Sequence, residues 1–164
     1  VGFLELAHDY LGEAALMDLH DLHQNSRDGL HIASLAGTWI SLVAGLGGMR
    51  DFNGQLSFSP RLPSRINNLE FSLLWRGLRL RVNVTADEVT YSLRNGGGSA
   101  RLVLVHHGKD VEVTQVKPVT VPIPPAHPAG PAPTQPAGRA PVRRATSIAS
   151  AIPFSGITRP TSSR

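Results

Sequence analysis

Four polar side chains follow one line along a segment that is otherwise apolar. They are His31, Ser34, Thr38 and Ser41, and successive spacings of three, four and three residues place them within roughly an 80° arc of an α-helix. Buried hydroxyl or imidazole groups without partners cost roughly 1 to 3 kcal/mol each, so the line requires polar neighbours or a ligand. Two interpretations stay open. The hydroxyls donate to carbonyls one turn earlier and His31 is a satisfied core histidine, or the line contacts a ligand.

The first two of these residues lie near the expected start of the helix, after Asp28 and Gly29. The start of a helix offers free amide N–H groups and the positive end of the helix dipole. Together with an imidazole and a hydroxyl, these groups favour an oxyanion as the ligand of His31 and Ser34. Phosphate is the natural candidate.

Two other groups of residues could do chemistry but carry weaker signals. His20, Asp21 and His23 have a spacing that can share a divalent cation, but no further close ligands accompany them, so we predict no metal site. His106 and His107 fall in an expected turn, where we predict an exposed pair without a function.

The elements that must position these side chains begin with two helices. Residues 1–19 place apolar residues at helical spacing and Glu5, Asp9 and Glu13 on another side, which we interpret as a solvated face. The second helix, expected at about residues 28–46, is apolar nearly all round and must be covered by other elements. This chain supplies one other helix to cover it. The pair is therefore predicted to end a larger helical assembly.

Alternating apolar and polar residues after Gly48 predict a small β-domain. Turn-forming residues separate the runs, and short strands at such close spacing are typical of an antiparallel meander that forms a β-sandwich. The expected strands are residues 55–59, 69–75, 78–85, 88–94, 100–106 and 111–116.

The basic character of the chain is confined to its end. The formal net charge is +4, yet the first 116 residues carry ten Lys or Arg against all twelve acids, whereas residues 117–164 carry six basic residues and no acid. Nine of the thirteen prolines lie at positions 118–141, so we predict that residues 117–164 form a disordered tail. A mildly acidic folded part gives no reason to expect a nucleic-acid or membrane partner.

The absence of cysteine excludes a disulfide framework and thiolate metal sites, and it favours a reducing compartment, the cytoplasm. The longest apolar run, residues 30–49, is interrupted by polar residues and glycines. We therefore predict a buried helix there and not a membrane span.

Three blocks of sequence resemble the closing segment of family 65 glycoside phosphorylases, the family of the maltose, trehalose and kojibiose phosphorylases. The blocks are DGLHIASLAGTW at residues 28–39, GLGGMRD at 45–51 and LSFSPRLP at 56–63. Their order and spacing agree with the family, and the resemblance covers about residues 1–115.

The resemblance implies an α+β fragment with three parts. Residues 1–48 would be the last helices of an (α/α)₆ catalytic barrel, residues 49–116 a C-terminal antiparallel β-sandwich domain, and residues 117–164 a Pro/Ala/Ser-rich basic tail outside the family pattern. The full-length enzyme would be cytoplasmic and a homodimer, as is usual in the family.

The resemblance also implies a reaction on an α-linked glucose disaccharide. Inorganic phosphate attacks the anomeric carbon with inversion while one carboxylic acid protonates the leaving oxygen. The family motif Gly-x-His-x-Ala-Ser falls on His31 and Ser34 as phosphate ligands, and Gly37 and Thr38 would belong to the active-site wall. No metal or cofactor is implied. The general-acid glutamate is not matched here, so the 164 residues alone are expected to be inactive.

Two alternatives to a phosphorylase segment stay open. A trehalose-type hydrolase of the same family would need a second carboxylate upstream and would not depend on phosphate. A non-catalytic, truncated remnant would keep the β-domain in a structural or interaction role.

Overall fold

The computed structural model describes residues 2–16, 32–94, 99–127 and 129–142. Helices α1 (Leu4–Ala15) and α2 (Ile32–Ile40) come first, and α2 continues as a π-helical segment (Ser41–Leu46). A short 3₁₀ turn follows. The strands are β1 (Ser57–Phe58), β2 (Leu69–Trp75), β3 (Leu78–Val84), β4 (Glu88–Leu93), β5 (Arg101–His106), β6 (Lys109–Thr114) and β7 (Val119–Pro122). Helices followed by sheets confirm the predicted α+β class.

Helix α2 ends at a close crossing of two backbone segments. After the π-helical turns, the amide of Met49 donates to the carbonyl O of Val43 at 3.1 Å. Gly48 has a φ of 62°, and a Cβ there would lie 2.4 Å from the carbonyl carbon of Ser59. Only glycine fits such a position, because a side chain would be strained by the left-handed backbone and would overlap the neighbouring chain. The predicted helix over 28–46 holds from Ile32 onward, and residues 28–31 lie outside the described part.

Helix α2 presents most of its apolar side chains to solvent. Ile32 is 77% exposed and Ile40 is 59% exposed, while Leu35 and Trp39 are about half exposed. Val43 in the π-helical segment is buried in the core of the β-domain. The exposed stripe, defined as these four exposed residues, fits the prediction that α2 belongs to a larger helical assembly.

The β-domain contains two sheets. One has the order β2-β3-β4-β7 and is antiparallel throughout, and the other has the order β1-β5-β6. The antiparallel β-sandwich is thus confirmed, with one difference. Strand β1 runs parallel to β5, with Ser57 opposite Val105 and Phe58 opposite His106. A parallel pair is possible here because β1 and β5 are not joined by a hairpin but are separated in the chain by three strands of the other sheet.

The core of the β-domain follows the alternation that the sequence predicts. In β3, Leu80, Val82 and Val84 are fully buried, while Arg79 is exposed. Burial of side chains of this size stabilises the fold by roughly 1.5–3 kcal/mol each. The core consists of Val43, Leu56, Phe58, Phe71, Leu80, Val82, Val84, Val89, Tyr91, Leu93, Leu102, Leu104 and Val113.

The β-domain continues beyond the predicted boundary at Val116. Strand β7 pairs with β4, with Val121 opposite Val89 and Thr120 opposite Thr90. The predicted boundary is too early because the prolines of this region do not exclude a strand: β7 lies at a sheet edge, where a missing N–H is tolerated. Between residues 123 and 142 the described part of the chain forms no helix or strand. The predicted disorder of residues 143–164 concerns residues outside the described part.

Among the described residues, no helix has the length and apolar character needed to cross a membrane.

Candidate functional site

The hydroxyls of Ser34 and Thr38 both donate to backbone carbonyls. Ser34 Oγ donates to the carbonyl O of Ala14 in α1 at 2.7 Å. Thr38 Oγ1 donates to the carbonyl O of Ser34, one turn earlier in α2, at 2.9 Å. Thr38 therefore follows the local back-bonding alternative, whereas Ser34 links the two helices. Each hydroxyl has used its single proton and keeps its lone pairs as acceptors.

The imidazole of His31 lies outside the described residues, so its position relative to Ser34 stays a prediction. The same holds for His20, Asp21 and His23. In the parts of the chain that the structure describes, no cluster of three or more His, Asp or Glu residues could hold a metal ion.

The expected active-site wall lies on α2. A Cβ added at Gly37 would meet no heavy atom within 4 Å, so the described residues leave space there for another helix or for a ligand. Thr38, half-buried, turns its hydroxyl back onto its own helix. The geometry is compatible with a wall at these two positions, and the assignment stays a prediction.

A groove between α1 and the π-helical segment is not a candidate phosphate site. Among the residues that the structure describes, no charged side chain lines it, and neither Ser34 nor Thr38 contributes to it. Its lining comes from Leu4, Ala7, Tyr10, Leu11, Ala14, Ser41, Gly45 and Leu46.

The acidic residues of α1 contact other parts of the chain. Glu5 accepts a hydrogen bond from the amide of Ser64 at 2.7 Å, and this bond lowers the pKa of the Glu5 carboxyl. The Asp9 side chain is only 12% exposed, and its Oδ1 lies 4.0 Å from Nη1 of Arg65, the residue that follows Ser64 in the loop before β2. Glu13 accepts from the amide of Val142 at 2.9 Å. The solvated-face interpretation is wrong for Asp9 and Glu13, which are half-buried because the loop before β2 and the segment after β7 pack on this side of the helix, whereas Glu5 is exposed.

His106 is buried, so the prediction of an exposed histidine pair is wrong for this residue. Its Nε2 lies 3.1 Å from the carbonyl O of Pro122, which can only accept, and Nε2 therefore carries the proton. Nδ1, 2.9 Å from the hydroxyl of Tyr91, then accepts from that hydroxyl. Desolvation lowers the pKa of His106, and burial raises the pKa of Tyr91 above its usual range. Both side chains are neutral near pH 7.

The strand pattern contained the signal that places His106 inside. Leu102, Leu104 and His106 share one face of β5 through the period of two, and that face is buried. His106 is the last residue of this strand, and the turn that follows is formed by His107 and Gly108, both with positive φ. His107 is half-buried, and desolvation also lowers its pKa.

Comparison with known proteins decides the family. A model of the glycosyl hydrolase family 65 central catalytic domain matches residues 1–40, and a model of the family 65 C-terminal domain matches residues 49–113. The chain belongs to glycosyl hydrolase family 65.

Relatives of this family 65 chain include both phosphorylases and proteins named as hydrolases. It is 52% identical over 144 residues to the "Uncharacterized glycosyl hydrolase ML0392" of Mycobacterium leprae (strain TN), covering 88% of this chain and 18% of that protein. It is 41% identical over 96 residues to the α,α-trehalose phosphorylase of Thermoanaerobacter brockii, covering 58% and 12%. It is 35% identical over 95 residues to the kojibiose phosphorylase of Halothermothrix orenii, covering 58% and 12%.

A solved structure shares the fold of this family 65 chain. That protein is named as a candidate kojibiose phosphorylase from the human microbiome, and it superimposes with a TM-score of 0.66 at 24% identity, covering 73% of this chain and 17% of that chain. At this identity the likeness supports the fold alone. The chain spans less than a fifth of the length of the proteins that it matches.

Proposed function

We propose that this family 65 chain is the C-terminal portion of an inverting α-glucoside phosphorylase that acts on a disaccharide. The observation that carries the proposal is the 41% identity with an α,α-trehalose phosphorylase over 96 residues. The match to the maltose phosphorylase of Bacillus subtilis, at 35% identity over 82 residues, supports the same class of reaction. In this proposal α1 and α2 are helices of the catalytic barrel, and the neighbouring barrel helices cover the exposed stripe of α2.

The proposed reaction replaces the glycosidic bond between two sugars with a bond between the glucosyl unit and phosphate. A phosphate oxygen attacks the anomeric carbon of the glucosyl unit from the face opposite to the leaving sugar, and the bond to the glycosidic oxygen breaks. A carboxylic acid gives its proton to that oxygen, which leaves as the hydroxyl of the second sugar. The products are β-glucose 1-phosphate and glucose. The general acid is expected outside these 164 residues, so this segment contributes to phosphate binding and supplies no catalytic residue.

In this proposal His31 and Ser34 hold the phosphate. A phosphate oxygen accepts hydrogen bonds, so Ser34 must donate its proton to the anion and release the carbonyl O of Ala14, now 2.7 Å away. Donation to a charged oxygen forms a stronger hydrogen bond than donation to a neutral carbonyl, and this difference favours the exchange. Gly37 leaves room for the ligand beside α2, and Thr38 forms the adjoining wall.

The remaining expectations concern the complete enzyme. We propose a cytoplasmic homodimer that uses inorganic phosphate as co-substrate and needs no metal or cofactor. An α-linked glucose disaccharide and phosphate would be its partners, with no role for nucleic acid or a membrane. The net negative charge of the first 116 residues supports the last point, because nucleic acid and anionic lipid surfaces both attract basic proteins.

A trehalose-type hydrolase of the same family is the second candidate. The observation that favours it is the match to mycobacterial proteins named glycosyl hydrolases, at 52% and 51% identity over 144 residues. Water activated by a second carboxylate would then replace phosphate as the nucleophile. In that case Ser34 has no anion to bind and keeps its hydrogen bond to Ala14.

One experiment separates the two candidates. The full-length protein that contains this segment is assayed on trehalose, kojibiose and maltose with and without inorganic phosphate, and the products are identified by NMR. We expect turnover only with phosphate and β-glucose 1-phosphate as product. Glucose release at an equal rate without phosphate would establish the hydrolase instead. The isolated 164-residue chain is the matched negative control, and measurable turnover by it would contradict the absence of the general acid.

A further inference from the structure

The segment that follows β7 returns to the helical part of the chain. At its first end, the amide of Ile123 donates to the carbonyl O of Asp87 at 2.7 Å, directly after the β4–β7 pairing. The two guanidinium nitrogens of Arg61 donate to the carbonyl O atoms of Pro124 and Pro125 at 2.8 and 3.3 Å. These contacts fix the first end of the segment to the β-domain.

The far end of the same segment contacts α1. The Tyr10 hydroxyl lies 2.5 Å from Oε1 of Gln135 and 3.0 Å from the carbonyl O of Arg139. The amide of Val142 donates to Oε1 of Glu13 at 2.9 Å, one helical turn farther along α1. Tyr10 and Glu13 are three residues apart, so they lie side by side on the helix surface and contact the segment together.

The middle of the segment also approaches the helical part closely. A Cβ added at Gly2 would lie 2.9 Å from the Cβ of Ala129, so the backbone before α1 and the segment touch with no room for a further methyl group. Residues 123–127 and 129–142 therefore have contacts with the β-domain at one end, with the start of α1 in the middle and with the second half of α1 at the other end.

The composition of the segment suits this arrangement. Prolines restrict the unfolded chain, so ordering the segment on a surface costs less conformational entropy than ordering a flexible linker of the same length. Each hydrogen bond is exposed and stabilises by only about 0.5–1.5 kcal/mol, so attachment depends on several contacts acting together.

We propose that the described residues 123–127 and 129–142 act as a strap that fastens helix α1 to the β-domain, with Tyr10 and Glu13 as its docking residues on the helix. Glu5 and Asp9 contact the loop at residues 64–65, so α1 has a second attachment to the β-domain beside the strap. The acidic side of α1 is thus an intramolecular docking surface. This inference does not depend on the proposed function, since it concerns how two parts of the chain are held together.

Hydrogen exchange followed by mass spectrometry tests the strap in three forms of the chain. The first is the intact 164-residue chain, the second ends at Val142 and keeps every strap contact, and the third ends at Ile123 and keeps β7. We expect the first two to exchange alike. In the third, the amides of the second half of α1 should exchange on the order of tenfold faster, because the open helix becomes more populated. Equal exchange of α1 in all three forms, with β4 still protected, would overturn the proposal.

A point variant tests the same contacts without shortening the chain. Tyr10→Phe combined with Glu13→Ala removes the docking hydroxyl and the acceptor of the Val142 amide, and alanine does not lower helix propensity. Glu112→Ala, at an exposed carboxylate in β6 that lies 3.4 Å from Arg101, is the control. We expect faster exchange and faster proteolysis within residues 129–142 in the double variant only. If the form that ends at Ile123 fails to fold, the comparison of the double variant with the wild type tests the proposal. Equal hydrogen exchange within residues 129–142 in these two proteins would refute the strap.

Discussion

The hydroxyl of Tyr91 and Nδ1 of His106 lie 2.9 Å apart in the interior of the β-domain and join its two sheets. Tyr91 belongs to β4 and His106 to β5, and the other nitrogen of His106 reaches the carbonyl O of Pro122 in β7. One imidazole thus connects the central part of one sheet, its edge strand and the facing sheet. Because both nitrogens have partners that fit the neutral ring, the arrangement fixes the protonation state of His106.

Removal of the Tyr91 hydroxyl should destabilise the β-domain by about 1–3 kcal/mol, because Tyr91→Phe leaves Nδ1 of His106 buried without a donor. The measurement is the free energy of unfolding in urea. Thr90→Val is the control, since it removes the hydroxyl of the neighbouring residue in β4, which lies 2.9 Å from the hydroxyl of Thr120 in β7 and is exposed. Equal stability of Tyr91→Phe and the wild type would show that the hydrogen bond contributes nothing.

The stability of the β-domain should fall as the pH falls from 7 to about 5.5. Desolvation lowers the pKa values of His106 and His107 in the folded state, so the unfolded chain, with His pKa values near 6.5, binds protons first. This contribution is fully present above the unfolded pKa and is lost as the pH falls through the folded pKa values. The hydrogen bond from the Ser64 amide lowers the pKa of Glu5 as well, so its contribution has the same sign, but it is lost at a lower pH than this window.

Urea unfolding at pH 7, 6 and 5.5 checks this dependence. The double variant His106→Gln with His107→Gln should lose most of the pH dependence, although its stability at pH 7 is lower. A wild-type free energy of unfolding that is constant over this range would contradict the lowered pKa values.

Gly48→Ala should be far more destabilising than Gly77→Ala. Both glycines have positive φ, 62° and 80°, for which alanine costs about 1–2 kcal/mol. A Cβ at Gly77 would meet nothing within 4 Å, but a Cβ at Gly48 would overlap the backbone of Ser59. Gly48→Ala must therefore also push the chain at the end of the helix away from the backbone of Ser59. Unfolding free energies of both variants give the comparison, and equal losses would mean that the crossing has room.

Ser34→Ala in the full-length protein should raise the KM for phosphate by about tenfold or more and change the KM for the disaccharide little, because the proposed role is a hydrogen bond to the anion. Ser41→Ala, at an exposed hydroxyl farther along the same helix, is the control and should behave as the wild type. An unchanged KM for phosphate in Ser34→Ala would remove Ser34 from the phosphate site while leaving the family and the fold intact.

Local sequence signals predicted much of the fold, and contacts between distant segments explain the rest. Strands β2 to β5 were predicted within one or two residues, because their period of two and their turn residues act over a few positions. Strand β7 was missed because its neighbouring prolines suggested disorder. The parallel pairing of β1 with β5 could not be predicted, since strand pairing over about fifty residues leaves no local pattern.

At the candidate site too, a contact within one helix could be predicted from the sequence, whereas contacts between distant segments could not. The back-bonding of Thr38 to the carbonyl of Ser34 was one of the two predicted alternatives, because it needs only the spacing of four residues. The bond from Ser34 to Ala14 depends on how two helices pack, which the sequence does not reveal. The contact of Glu13 with Val142 joins residues far apart in the chain, and the sequence contains no signal for it.

The burial of Val43 has a consequence for how this region can be recombined. Val43 belongs to α2 by sequence, yet it lies in the same core as Leu56, Phe58 and Phe71. A chimera joined at residue 49 would combine a β-sandwich shaped around Val43 with the residue that the other homologue has at this position. Transfer of the β-domain between homologues should therefore succeed with a junction upstream of α2, so that the end of the helix and the β-sandwich come from the same protein.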